Sequence, residues 1–181
     1  MLLISGVSGV GKTSVLDELI RINNKFQHMF LYTTRQIRKG EEEYRKTKPK
    51  DYILALEKEN KLLYKLEKYG VLFCCPKNKF YSLLRNGKYP AIEFSIDEIK
   101  MFKKKYPNVF TVYLYPPSLK TLHNRLMLNN RDPDGHRFAA AIEELQKVKK
   151  STYKDLIDIH FVSYEDDVKK IAEAVNIAYK K

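Results

Sequence analysis

Gly6-Val7-Ser8-Gly9-Val10-Gly11-Lys12-Thr13 fits the pattern G-x-x-x-x-G-K-[ST] at every fixed position. Such a loop works only between a strand and a helix, and both neighbours read that way. Leu2-Leu3-Ile4 is a short apolar run suited to a buried strand, and Val15, Leu16, Leu19 and Ile20 recur at helical spacing. Glycines let backbone N–H groups converge on phosphate oxygens, and the start of the helix adds partial positive charge. Lys12 is then placed to reach the β- and γ-phosphates of a nucleotide, and Thr13 to offer a hydroxyl to Mg²⁺. The motif points to a bound nucleoside triphosphate, with Gly6, Ser8, Gly9, Val10, Gly11, Lys12, Thr13 and Ser14 as its cradle. It leaves the fate of the γ-phosphate open, because hydrolases, switches and kinases share it.

Working outward, the same alternation of strand and helix returns. Ala91-Ile92-Glu93-Phe94 and Val109-Phe110-Thr111-Val112-Tyr113-Leu114 read as strands, followed by helical stretches near 96–105 and 118–127. Ile159-His160-Phe161-Val162 leads into a last helix carrying Val168, Ile171 and Val175, with Asp166 or Asp167 placed to cap it. This predicts an α/β fold with a parallel sheet covered on both faces by helices. The segment 51–75 is ambiguous, since Leu62, Leu63 and Leu66 suit a helix by propensity while Leu62, Tyr64 and Leu66 alternate as in a strand. Gly70 followed by Val71-Leu72-Phe73-Cys74 predicts at least one strand there, in a small antiparallel excursion. Asn129 to Gly135 is the most polar, turn-rich stretch and is expected to be a mobile loop.

The 181 residues, 44% hydrophobic and 31% charged, suit one globular domain with its own core. No apolar run approaches the roughly 18 to 20 residues of a membrane-spanning helix, so no membrane partner is expected. Thirty-four Lys and Arg against 22 Asp and Glu give a net charge of +12, which attracts phosphate-bearing partners but does not name one. Cys74 and Cys75, as neighbours, make a poor disulfide and a poor zinc site, which predicts a reducing compartment. The start at Met1 has no features of a secretory signal, and a cytoplasmic location is expected. His28, His123, His136 and His160 are scattered without triad or metal spacing.

Thr33-Thr34-Arg35-Gln36-Ile37-Arg38 follows the apolar run Met29-Phe30-Leu31-Tyr32, so two arginines leave a strand end together with hydroxyl groups. Arginine forks bind phosphate bidentately, which makes this a candidate second anion site. With Gly40-Glu41, Gly87-Lys88 before the strand bearing Glu93, Pro116-Pro117-Ser118-Leu119 and Arg125-Leu126, the chain resembles the guanylate kinase family over most of its length. The resemblance implies a P-loop core (1–34 and 77–181), an acceptor-binding excursion (about 35–76) and an arginine-bearing lid (about 127–138) that closes over ATP. It further implies transfer of the γ-phosphate of ATP, with Mg²⁺, to a phosphorylated acceptor, foremost a nucleoside monophosphate.

Carried onto this sequence, the resemblance assigns Thr34, Arg35, Arg38 and Tyr44 to the acceptor phosphate and Glu93 to the acceptor region. Lys12, Arg137 and Arg131 become the catalytic cations, which neutralise charge on the transferring group. The guanine-reading half departs from the family. Tyr64 stands where a glutamate would accept from guanine, Phe73-Cys74-Cys75 replaces a Tyr-Gly-Thr or Tyr-Gly-Ser stretch, and Ser95 replaces an aspartate. Phosphate residues survive while base readers change together, which suggests altered base specificity. A sugar-phosphate acceptor and a catalytically weak binding module are the alternatives, the intact Lys12-Thr13 weighing against the latter. A nucleic-acid partner has only the charge in its favour, since no aromatic-basic motif of a known module is present.

Overall fold

The structure, a computed structural model, describes residues 1–68, 70–128 and 132–179. The chain divides into two compact units, Met1–Asn24 with Ala91–Lys181, and Lys25–Pro90.

The first unit is a parallel α/β layer. Strand β1 (Leu2–Gly6) is buried at every residue and lies between β7 (Tyr89–Glu93) and β8 (Phe110–Tyr115), with β9 (Ile159–Val162) beyond β8. All three pairings are parallel, with Leu2 opposite Ala91 and Phe110, and Val112 opposite Ile159. A strand covered on both faces must be apolar throughout, which is why β1 reads as an unbroken run rather than an alternating one. Helix α1 (Lys12–Ile22) turns Val15, Leu16 and Leu19 inward and packs against α8 (Val168–Tyr179). Helices α4 (Ile96–Lys105), α5 (Leu119–Leu128) and α6 (His136–Val148) and the short α7 (Ser151–Lys154) complete the unit. A one-turn 3-10 helix, Glu165–Asp167, runs straight into α8, so Asp167 stands immediately before its first residue, and its carboxylate accepts from Lys170 at 3.1 Å.

The second unit holds β2 (Phe26–His28) beside the Tyr89 end of β7, and a separate four-stranded sheet. That sheet runs β4 (Arg45–Thr47), β3 (Leu31–Thr33), β6 (Val71–Pro76), β5 (Leu62–Lys68). Helix α2 (Lys50–Lys58) packs Ile53 and Leu56 against Leu62, Leu72 and Cys74 on one sheet face, and α3 (Lys77–Arg85) follows β6.

The ambiguous segment is thus a helix followed by a hairpin, and Asn60 makes the break. It adopts φ 52, a left-handed conformation that asparagine tolerates better than most residues. Its N–H donates to the Glu57 carbonyl at 2.9 Å and that of Lys61 to the Leu56 carbonyl at 2.9 Å, the paired bonds of a Schellman stop.

The polar stretch 129–135 is corrected at Asp132. This residue is buried rather than a solvated loop residue, and its two carboxylate oxygens accept from the backbone N–H groups of Arg137 and Phe138, each at 2.8 Å. It caps the first turn of α6. Among the described residues, no helix is long and apolar enough to cross a membrane.

Candidate active site

The phosphate loop leaves the carboxyl end of β1, flanked on both sides by parallel strands, where open α/β sheets bind ligands. Gly6 has φ 138, and a β-carbon there would lie 2.5 Å from the Leu114 carbonyl oxygen, so only glycine fits beside β8. Gly11 is the left-handed residue (φ 99) from which α1 starts. Gly11 has no side chain to cap that helix start and its first turn holds no acidic residue, which suits its positive end to an external anion. Lys12 folds back over the loop, donating from Nζ to the carbonyls of Gly6 at 2.7 Å and Val7 at 2.9 Å. Val10 is buried, Ser8 is partly exposed, and Thr13 and Ser14 are exposed on the first turn. These groups fit a nucleotide triphosphate.

Sequence reasoning did not assign Arg125 a role. In the structure it donates from Nη1 to the Ser163 carbonyl at 3.1 Å, and Ser163 Oγ lies 3.4 Å from where a Gly11 β-carbon would be. A further arginine therefore stands near the phosphate loop, and only the three-dimensional meeting of α5 with the end of β9 could reveal it. Arg137 lies on the first turn of α6, held there by Asp132, whereas Arg131 lies outside the described residues. Among the described residues no cluster of three or more His, Cys, Asp or Glu is arranged to hold a metal. The exposed Thr13 hydroxyl is the group that would hold Mg²⁺, an ion that is usually bound by few protein oxygens together with substrate phosphates.

Glu93 ends β7 opposite Ile4. Ser95 is the first residue before α4, where its side chain and that of Glu98 form a reciprocal capping box with each other's backbone N–H. Ser95 thus serves the start of α4.

In the second unit, residues directly opposite one another share a face, and faces alternate along each strand. Thr33 is opposite Phe73 and Thr47, Leu66 is opposite Phe73, and Tyr64 is opposite Cys75. Tyr64, Phe73, Cys75, Thr33 and Arg45 therefore lie on the face away from α2. An irregularity between Leu62 and Tyr64 rotates Leu62 into the α2 core while Tyr64 stays on the opposite face. Cys75 is fully buried, its Sγ donating to the Pro76 carbonyl at 3.7 Å, and burial together with the neighbouring Cys74 raises its pKa far above the usual thiol range. Cys74, on the α2 face, is pushed up to about 11, chiefly by burial. Thr34 is tied to β6, its Oγ1 accepting from the Leu72 N–H at 3.0 Å.

The arginines meet an acid that sequence reasoning had quoted without giving a role. Arg35 donates from Nη2 to both carboxylate oxygens of Glu41 at 2.8 Å, and its guanidinium lies 5.8 Å from the centre of the Phe73 ring. Glu41 also accepts from Arg45 Nη1 at 2.7 Å and from the Arg38 backbone N–H at 3.0 Å. Burial works to raise the Glu41 pKa, but the Arg35 hydrogen bond, the Arg38 N–H and the charges of Arg45 and Arg35 outweigh it and hold the carboxyl below its ordinary value. The Arg38 side chain is exposed, and Tyr44 stacks on His28 with ring centres 3.9 Å apart.

A parallel sheet with a glycine-lysine phosphate loop at the carboxyl end of a central strand defines the P-loop class of nucleotide-binding proteins. The guanylate kinase family model matches residues 1–179, and the chain belongs to that family. It is 30% identical over 185 residues to guanylate kinase of Clostridium tetani, covering 97% of this chain and 85% of that protein. Guanylate kinase of Rickettsia typhi is 29% identical over 184 residues, with 97% and 89% covered. The crystal structure of guanylate kinase from Anaplasma phagocytophilum superposes with TM-score 0.73 at 18% identity, covering 99% of this chain and 84% of that one, a likeness of fold. The protein is a P-loop nucleotide kinase.

Proposed function

We propose that the protein transfers the γ-phosphate of ATP to a nucleoside monophosphate that it selects with little preference for guanine. Lys12, the N-terminal end of α1 and the loop N–H groups hold the donor, and Mg²⁺ at the Thr13 hydroxyl would offset phosphate charge. Arg35, Arg38 and Tyr44 hold the acceptor phosphate, with Thr34 fixing their strand to β6. Arg137, and Arg131 in the same lid segment, neutralise charge that develops on the transferring group. Phosphoryl transfer of this kind is positioning and charge neutralisation, so no covalent nucleophile is required.

The observation that supports loose base selection is the sheet face shared by Tyr64, Phe73 and Cys75, three residues without a carboxylate or amide among them. Aromatic faces stack on any base. A carboxylate accepts from the adjacent N–H groups of guanine together, and a face that offers hydroxyls and rings in its place discriminates poorly. Replacing Arg35 or Arg38 with Ala should raise KM for the acceptor by at least about tenfold, the scale of a lost charge-assisted bond, while ATP affinity stays within about twofold. Steady-state kinetics with each substrate varied in turn reads this directly. Equal losses for ATP and acceptor would show that the two arginines do not serve the acceptor.

A further inference from the structure

We propose that Arg45 is a positioning residue of the acceptor-phosphate site, acting through Glu41; the proposal rests on the reading that Arg35 holds that phosphate. Arg45 begins β4, and its side chain shares the Glu41 carboxylate with Arg35, the two ion pairs measuring 2.7 and 2.8 Å. All three side chains are largely withdrawn from water, at 17%, 18% and 11% exposure for Arg45, Arg35 and Glu41. The Arg45 guanidinium also lies 5.5 Å from the centre of the Tyr44 ring. Its Nε is buried without a hydrogen-bond partner among the described residues, a desolvation cost that an arginine free to swing into solvent would avoid. Local costs of this kind persist where another requirement holds the group in place.

Charge identifies the requirement. Arg35 and Arg45 against Glu41 leave one positive charge in the cluster, and Arg38, whose backbone N–H also binds Glu41, brings a second. A phosphate monoester near neutral pH carries close to two negative charges. When such a group takes the Arg35 fork, Glu41 loses a cation and acquires an anion as neighbour. With Arg45 still bound, Glu41 remains paired. Without Arg45, a buried carboxylate would confront the incoming phosphate, and buried like charges repel strongly. Arg45 thus releases Arg35 for the acceptor by keeping Glu41 neutralised.

The test uses the full chain, with GMP as the probe in equilibrium titrations and ATP titrated separately as control. Arg45→Ala should weaken GMP by at least about tenfold and leave ATP within about twofold, whereas Arg45→Lys, which keeps the charge, should stay within about threefold for GMP. Adding Glu41→Gln to Arg45→Ala should recover at least half of the lost GMP affinity on a logarithmic scale, because no carboxylate then needs compensation. A structural role alone would give no such recovery, since the second substitution removes another bond from the same turn. GMP affinity unchanged in Arg45→Ala, an equal loss for ATP, or no recovery in the double variant would each overturn the proposal. Arg35→Ala separates the two levels. If it leaves GMP binding intact, the phosphate-site reading falls and this proposal with it; if it weakens GMP while Arg45→Ala does not, this proposal alone falls.

Discussion

In the proposed mechanism Lys12 is the side chain on which turnover depends most. Its ammonium group lies against two loop carbonyls, placed as a ready counter-charge beside the N-terminal end of α1. Lys12→Ala removes that charge without opening a core cavity, because the loop fold is carried by Gly6, Gly11 and the buried Val10. Turnover should fall by at least about a hundredfold, the scale of losing one preorganised transition-state donor, while the melting temperature shifts little. Near-normal turnover in the variant would remove Lys12 from the mechanism. The loop was legible from the sequence because its requirements are local: glycines at fixed spacing, a lysine and a hydroxyl at the helix start. Arg125 and Glu41 had no such local signature. Each takes its role from partners that only folding supplies, Ser163 across 38 positions for the first and two arginines meeting at one carboxylate for the second.

At the scale of elements, the turn from Arg38 to Arg45 is organised around one residue. The Glu41 N–H donates to the Arg38 carbonyl at 3.0 Å, and its own carbonyl accepts from the N–H groups of Tyr44 at 3.2 Å and Arg45 at 2.8 Å. The carboxylate adds three further partners. Because its folded pKa lies below the ordinary 4.5, ionised Glu41 contributes stability that is fully present above that value and is lost as pH falls through the lowered one. The wild-type advantage in melting temperature over Glu41→Gln should therefore be largest near about pH 7 and shrink below about pH 4. An advantage that grew on acidification would contradict the ion-pair account. Elements with one clear period, such as the helix Ile96–Lys105 and the strand Ile159–Val162, were readable from the sequence. The segment 51–75 was not, since leucines among charged residues satisfy both periods, and the decision rests on a left-handed asparagine at position 60 and on a bulge that rotates Leu62 away from Tyr64. Asp132 misled for the opposite reason, as its polar neighbours resemble a solvated loop while the carboxylate itself is buried under a helix start.

For the molecule as a whole, family membership and base selectivity are separate matters. The match over residues 1–179 establishes the kinase, and the register of the β5–β6 hairpin puts Tyr64 opposite Cys75 and Phe73 opposite Leu66 on one face. On the proposed reading, two missing guanine contacts at about 1–3 kcal/mol each would lower kcat/KM for GMP by between about thirtyfold and about twenty-thousandfold relative to a guanine-reading pocket. Arg35, Arg38 and Arg45 cannot restore that discrimination, because every monophosphate presents the same oxyanion. The direct measurement is kcat/KM for GMP, dGMP, AMP, CMP, UMP and dTMP, with ATP saturating and ADP release as the signal. The account predicts monophosphate-dependent ADP release in which GMP holds no lead above about tenfold over the next best base. A lead of about a hundredfold or more for GMP would contradict it and would mean that a residue outside the Tyr64, Phe73 and Cys75 face reads guanine.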